Sequence, residues 1–218
     1  MLTTLFNGSV LVPVALDDGM AVREYEQYRH HLIRLKTALF DAFRIAALTS
    51  KACLMLTIRP LTNESHDDRS NVLRIFLESP SYTELVEGRS PSAEDVEDFF
   101  HGKPDAKDAA DKSVFGFYVE SEMVGCADVI RAYPADDCTW IGLLFFSEAH
   151  QRRGYGTTAL ALINAMAQEW GCRRLQLAAI STNPCGLAFW GREGFEEIRR
   201  TTNQRLIGEV IVMERPIK

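Results

Sequence analysis

At 218 residues, 46% hydrophobic and 25% charged, the chain has the composition of a globular protein with one sizeable core, which excludes disorder over most of its length. A formal net charge of −6 excludes the general basic field of a nucleic-acid binder and favours cationic partners. Five scattered cysteines without a CxxC pair, no charged n-region of a secretory signal and no apolar stretch long enough to cross a bilayer point to a cytoplasmic protein away from the membrane.

Residues 1–53 read as an N-terminal extension and 54–218 as the main domain. In the extension, Val10 to Leu16 fits a short strand and Arg23 to Ser50 a long amphipathic helix. Its stripe of Tyr25, Tyr28, Leu32, Leu35, Leu39, Ala42 and Ala46 alternates steps of three and four. Such a stripe serves either to dock the helix on the main domain or to form a homodimer. A further reading starts the native protein at Met55, so that the extension is not part of it.

Leu54 to Leu61 has the period-two pattern of a first strand, followed by a helix over Asn63 to Glu78 that Pro80 ends. Ser81 to Ser90 is expected to be a loop holding Tyr82, Glu84 and Glu87. Ser92 and Asp95 form a capping box for a short helix through Phe99 and Phe100, and Lys103 to Lys112 is expected as a surface loop. Val114 to Val119 and Met123 to Tyr133 make a hairpin about Glu120-Ser121-Glu122, and after Asp136-Asp137 comes the strand Thr139 to Phe146. Beyond the turn Gln151-Arg152-Arg153-Gly154-Tyr155-Gly156, apolar residues recur at helical spacing from Thr157 to Trp170, with Gly171 as the stop. Arg174 to Ile180 is a strand, Pro184 to Arg192 a short helix, and Phe195 to Thr201 and Ile207 to Arg215 are the last strands.

The glycine turn carries the chemistry. Two glycines between a strand and a helix let the backbone turn without a Cβ in the way, so successive N–H groups point into one concavity at a helix N-terminus, and such a concavity binds anions, phosphate above all. Among catalytic patterns, no metal cluster, GxSxG elbow or Cys–His pairing rises above background.

Together with the meander before it and the segment Asn183-Pro184-Cys185-Gly186-Leu187-Ala188-Phe189-Trp190-Gly191-Arg192-Glu193-Gly194-Phe195 after it, the turn resembles the GNAT N-acetyltransferase superfamily over residues 54 to 215. Gln151, Gly154 and Gly156 match its [Q/R]-x-x-G-x-[G/A] signature. The resemblance implies an α/β fold, a mixed, mostly antiparallel, splayed sheet built from the seven strands above and flanked by helices. It implies acetyl-CoA as co-substrate and no metal. The pyrophosphate would sit on the N–H groups of Arg152, Arg153, Gly154, Tyr155, Gly156 and Thr157, beside Gln151, with either arginine adding a side-chain contact or staying solvated. Backbone groups of Leu144 and Phe145 would hold the pantetheine and the acetyl carbonyl, and Asn183, Phe189 and Trp190 would complete the cofactor site. Asn183 also reads as the N-cap of the next helix. Trp190 departs from the family, standing where many relatives carry a tyrosine taken to protonate the leaving thiolate, and an indole has no such proton to give.

The implied reaction is direct attack of a primary amine on the thioester. A lysine-like amine of pKa about 10.4 costs about 4.6 kcal/mol to neutralise at pH 7, which calls for a base. Glu84, Glu87, Glu120, Glu148 and His150 are the candidates, of which Glu148, His150 and Glu84 are carried forward, and the resemblance places Tyr82 and Glu84 on the loop that lines the acceptor cleft. The acidic balance and the glutamates near Tyr82 favour a small cationic amine as acceptor. A peptide or protein amine is the close rival, and a non-catalytic acyl-CoA-binding module is the rival of another class.

Overall fold

The computed structural model describes residues 56 to 217. The expected strand at 10–16, the helix at 23–50 with its stripe, and the question of a start at Met55 lie outside the described residues.

The first described element, β1 (Leu56–Pro60), places its proline at the strand end, where a missing N–H interrupts no ladder. Helix α1 (His66–Leu77) opens on Ser65, whose side chain accepts from Asp68 N, and buries Val72, Ile75 and Phe76. Pro80 does not simply end this helix. It starts another, α2 (Pro80–Glu87), so the loop expected over Ser81 to Ser90 is largely helical. Proline suits the first turn of a helix because the N–H it lacks has no intrahelical acceptor there. The helix stops at Gly88, whose φ is 72°. The capping box of Ser92 and Asp95 opens α3 (Ala93–His101) as expected.

After a loop with one 3-10 turn at Ala109–Asp111 come β2 (Lys112–Val119), β3 (Glu122–Arg131) and β4 (Cys138–Phe146). Lys112, expected at the exposed end of a surface loop, is instead the buried first residue of β2. Helix α4 (Tyr155–Glu169) begins two residues earlier than its apolar spacing predicts and is followed by β5 (Arg174–Ile180) and α5 (Pro184–Arg192). Strands β6 (Glu196–Thr202) and β7 (Glu209–Pro216) close the described chain.

The seven strands form one sheet in the order β1-β2-β3-β4-β5-β7-β6. All neighbours are antiparallel except β4 and β5, which run parallel because α4 carries the chain back across the sheet. Each face is covered. Phe117, Ile141, Leu160, Ile163, Leu175 and Leu177 belong to the core shared with α4, while Val72, Ile75, Phe99, Met123, Cys126 and Phe145 belong to the core shared with α1 and α3.

Candidate active site

The site starts from a defect in the sheet. Across β3 and β4, Asp128 pairs with Leu143 and Val129 with Ile141, so Gly142 is an extra residue, a β-bulge. On the other edge of β4, pairing with β5 runs only from Cys138 with Arg174 to Ile141 with Leu177. A bulge kinks its strand and sharpens the twist, and the two parallel strands part where Gly142 is inserted. Ala178, Ala179 and Ile180 pair with β7 alone. The edge of Gly142 to Phe146 that faces β5 is thus left without strand partners, and burial lapses there: Gly142 is exposed, and Leu143 and Leu144 are half-buried in an otherwise largely buried strand. The result is a notch in mid-sheet lined by free main-chain groups.

At the end of β4 the chain passes through a 3-10 turn, Glu148–His150, into the glycine turn. Gly154 has φ of 84° and Arg152 φ of 59°, two left-handed residues that curl the backbone ahead of α4. The first main-chain bond of the helix is Thr158 N to Gly154 O at 3.2 Å, and among the described residues no acceptor takes the N–H groups of 152 to 157. Arg152, Arg153 and Gly154 are exposed. Six N–H groups at the positive end of a fifteen-residue helix, α4, constitute an anion site facing solvent. Gly156 serves packing rather than conformation, since a Cβ there would meet the Phe189 ring at 3.0 Å.

Residues 74–195 match the acetyltransferase (GNAT) family. The chain belongs to the GNAT acetyltransferases. A curated relative of this GNAT enzyme, the spermine/spermidine N(1)-acetyltransferase of Bacillus subtilis (strain 168), is 25% identical over 149 residues, 66% of this chain and 89% of the relative. Among solved structures, an acetyltransferase from Thermus thermophilus shares 30% identity with a TM-score of 0.60, covering 75% of this chain and 97% of that one. The PaiA N-acetyltransferase of Thermoplasma acidophilum, solved in complex with coenzyme A, shares the fold at 18% identity and a TM-score of 0.54, over 74% of this chain and 99% of that one. The chain is an acetyl-CoA-dependent N-acetyltransferase with the splayed mixed sheet of its family. Two features of the structure fit acetyl-CoA: the N–H groups without acceptors at the start of α4 match a pyrophosphate, and the unpaired edge of β4 matches an amide-bearing arm.

Several expected site residues turn out to hold the scaffold together. Gln151 donates from Nε2 to Phe146 O at 3.0 Å, closing the turn onto the end of β4. Asn183 caps α5, its Oδ1 accepting from Gly186 N at 2.8 Å, while its Nδ2 has no protein acceptor among the described residues. The half-buried Trp190 packs edge-on against Phe189 at 4.8 Å and Phe195 at 5.2 Å between ring centroids. It fills the aromatic position structurally without a titratable group.

The proposed bases separate. Glu84 lies on α2, not on a loop, and is exposed. Glu148 is exposed and accepts from Ser81 Oγ at 2.5 Å, linking the end of β4 to α2. His150 Nδ1 lies 2.8 Å from Oγ of the buried Ser147, which anchors the ring to the turn. Glu87 pairs with Arg89, and Glu120 sits in the β2–β3 turn at φ of 56°. Tyr82 is the residue brought against β4, its ring 4.9 Å from that of Phe145. Burial, and after it the negative charges of Asp128 and Glu87, push its phenol up to about 12. Asp128, which no motif marked, belongs to this site. The available signal was a lone carboxylate inside the apolar run Gly125 to Ile130.

Proposed function

We propose that the acceptor is a small cationic amine of the polyamine class. The observation that carries this reading is the electrostatic setting of Tyr82. Beside the open part of β4, the carboxylates of Asp128, Glu87 and Asp95 all bear on its hydroxyl, while burial keeps the neighbouring Cys126 thiol neutral. A protonated amine entering from this side moves toward negative potential, which raises its local concentration. The likeness to a relative named for spermine and spermidine supports the same class.

In this reading acetyl-CoA supplies an acetyl group activated as a thioester, which the acceptor nitrogen attacks directly, forming the C–N bond as the C–S bond breaks and CoA leaves as a thiolate that takes its proton from water. The N–H groups of 152 to 157 hold the pyrophosphate, each contributing about 1.5–3 kcal/mol as a charge-assisted bond. Asn183 Nδ2 donates to the pantetheine arm, and main-chain groups of Leu144 and Phe145 meet its upper part and the acetyl carbonyl. Glu148, exposed at the join between β4 and α2, takes the proton of the ammonium through water, with His150 and Glu84 as the alternatives. The test is a rate comparison by free-thiol release with spermidine, a monoamine, a neutral amino-amide and a peptide N-terminus. Spermidine is expected to have the highest kcat/KM, with rates falling as ionic strength rises. A peptide preferred over every small amine would overturn the assignment.

A further inference from the structure

The pair Lys112 and Asp128 lies against the bulge at Gly142, and in the reaction as described above Asp128 enters only through its charge and Lys112 not at all. Both side chains are buried, at 5% and 7% exposure. Lys112 Nζ donates to Asp128 Oδ2 at 2.5 Å and to Gly102 O, the cap of α3, at 2.6 Å. The other carboxylate oxygen, Oδ1, accepts no hydrogen bond of ordinary geometry, yet it lies directly against the bulge. A Cβ on Gly142 would fall 1.9 Å from it. The main-chain N–H groups of Leu143 and Gly142 are close enough to favour its charged form, although burial as the larger effect pushes the carboxyl above its ordinary range. One carboxylate therefore faces donors on two sides, an ammonium beneath and the bulge above.

We propose that Asp128, held by Lys112, is a positioning residue that fixes the bulge at Gly142 and so aims the main-chain groups of Leu144, the next residue but one, into the notch where the acetyl carbonyl is polarised. The inference rests on the placement of the carbonyl against β4 given above. Only a group with two acceptor faces fits between these donors. An amide turns its NH2 toward one of them, and the ammonium, the stronger donor, takes the oxygen. The bulge then meets an N–H2 where it had an oxygen. Gly142 is required from the other side, because a methyl there would displace the carboxylate.

The test is the carbon-13 resonance of acetyl-CoA labelled at the thioester carbonyl, bound to the enzyme without acceptor. It reads polarisation of that carbonyl and does not depend on the identity of the amine. In the wild type the resonance is displaced from its free position. Asp128→Asn is expected to lose most of the displacement while thermal stabilisation by CoA, which reports the distant phosphate turn, stays as in the wild type. Turnover of any accepted amine falls about 100-fold, the cost of misaiming a reacting group. In the double variant Lys112→Met with Asp128→Asn the amide oxygen is free to face the bulge, and the displacement returns. Gly142→Ala gives the same reading if Asp128→Asn does not fold, and it should lose the displacement too. Wild-type displacement in Asp128→Asn or Gly142→Ala, or a double variant as deficient as a folded single one, would overturn the proposal. A wild-type spectrum with no displacement would overturn it differently, by removing the carbonyl from β4.

Discussion

Gly154 and Gly171 stand at the two ends of the same helix, α4, and allow the phosphate site to be tested against its own control. Both are exposed and left-handed, at φ of 84° and 77°, and a Cβ at either would meet nothing within 4 Å. Replacement by alanine therefore costs backbone strain alone, about 1 kcal/mol at each position. For a chain of this size that lowers Tm by about 2–4 °C. The two variants part in ligand binding. Relief of the strain at Gly154 rotates the peptide groups of the turn, and losing even one charge-assisted N–H contact costs about 1.5–3 kcal/mol, roughly 10- to 150-fold in the Kd for CoA. Gly171 borders no such contact. Titration calorimetry with CoA, and with pantetheine as a ligand that lacks the pyrophosphate, should show CoA affinity falling in Gly154→Ala only and pantetheine affinity unchanged in both. Equal CoA affinity in the two variants would refute the assignment of the pyrophosphate to this turn.

Trp190→Tyr retains an aromatic ring between Phe189 and Phe195 and adds a hydroxyl. Its gain in kcat should stay under about 30-fold, because a thiol of pKa about 8.5 is only about 2 kcal/mol from its thiolate at pH 7, and a larger gain would show that thiolate departure limits this enzyme far more than that difference allows. Trp190→Ala should instead cost about 2–3 kcal/mol in urea unfolding, less than a fully buried tryptophan because the ring is half-buried. Asp95 gives a pH dependence. Burial alone would raise its carboxyl, but the bonds from Arg89 at 2.7 and 2.9 Å and from Ser92 N at 2.6 Å outweigh burial and hold it below the usual carboxylate range. Its contribution to stability is present above about pH 4 and is lost as the pH falls through the lowered value. Asp95→Asn should therefore lose stability at pH 7 and show a flatter acid limb in unfolding, and an unchanged acid limb would contradict the coupling.

Most of the element order could be read from periodicity, because β2 to β5, α4 and α5 are each specified by their own apolar spacing and glycine stops. The failures have physical causes. Pro80 reads as a stop and acts as a first-turn residue, so α2, which carries Tyr82 onto β4, was hidden in an expected loop. The notch depends on where β4 stops pairing with β5, a contact between segments more than thirty residues apart that no local pattern encodes. Lys112 and Asp128 were each ordinary in sequence, and only the strand register brings them together under Gly142. Within the site, the glycine turn was legible because its conformation is local. The division of labour was not: Gln151 closes the turn, and His150 leans on Ser147, through contacts with residues that the spacing did not identify as partners.

The central claim, acetyl transfer from acetyl-CoA to a small cationic amine, is tested most directly by mass analysis of a reaction with spermidine. Monoacetylated spermidine is expected in an amount equal to that of free CoA. Free CoA without an acetylated amine, or neither product at an enzyme concentration that saturates with acetyl-CoA, would contradict it.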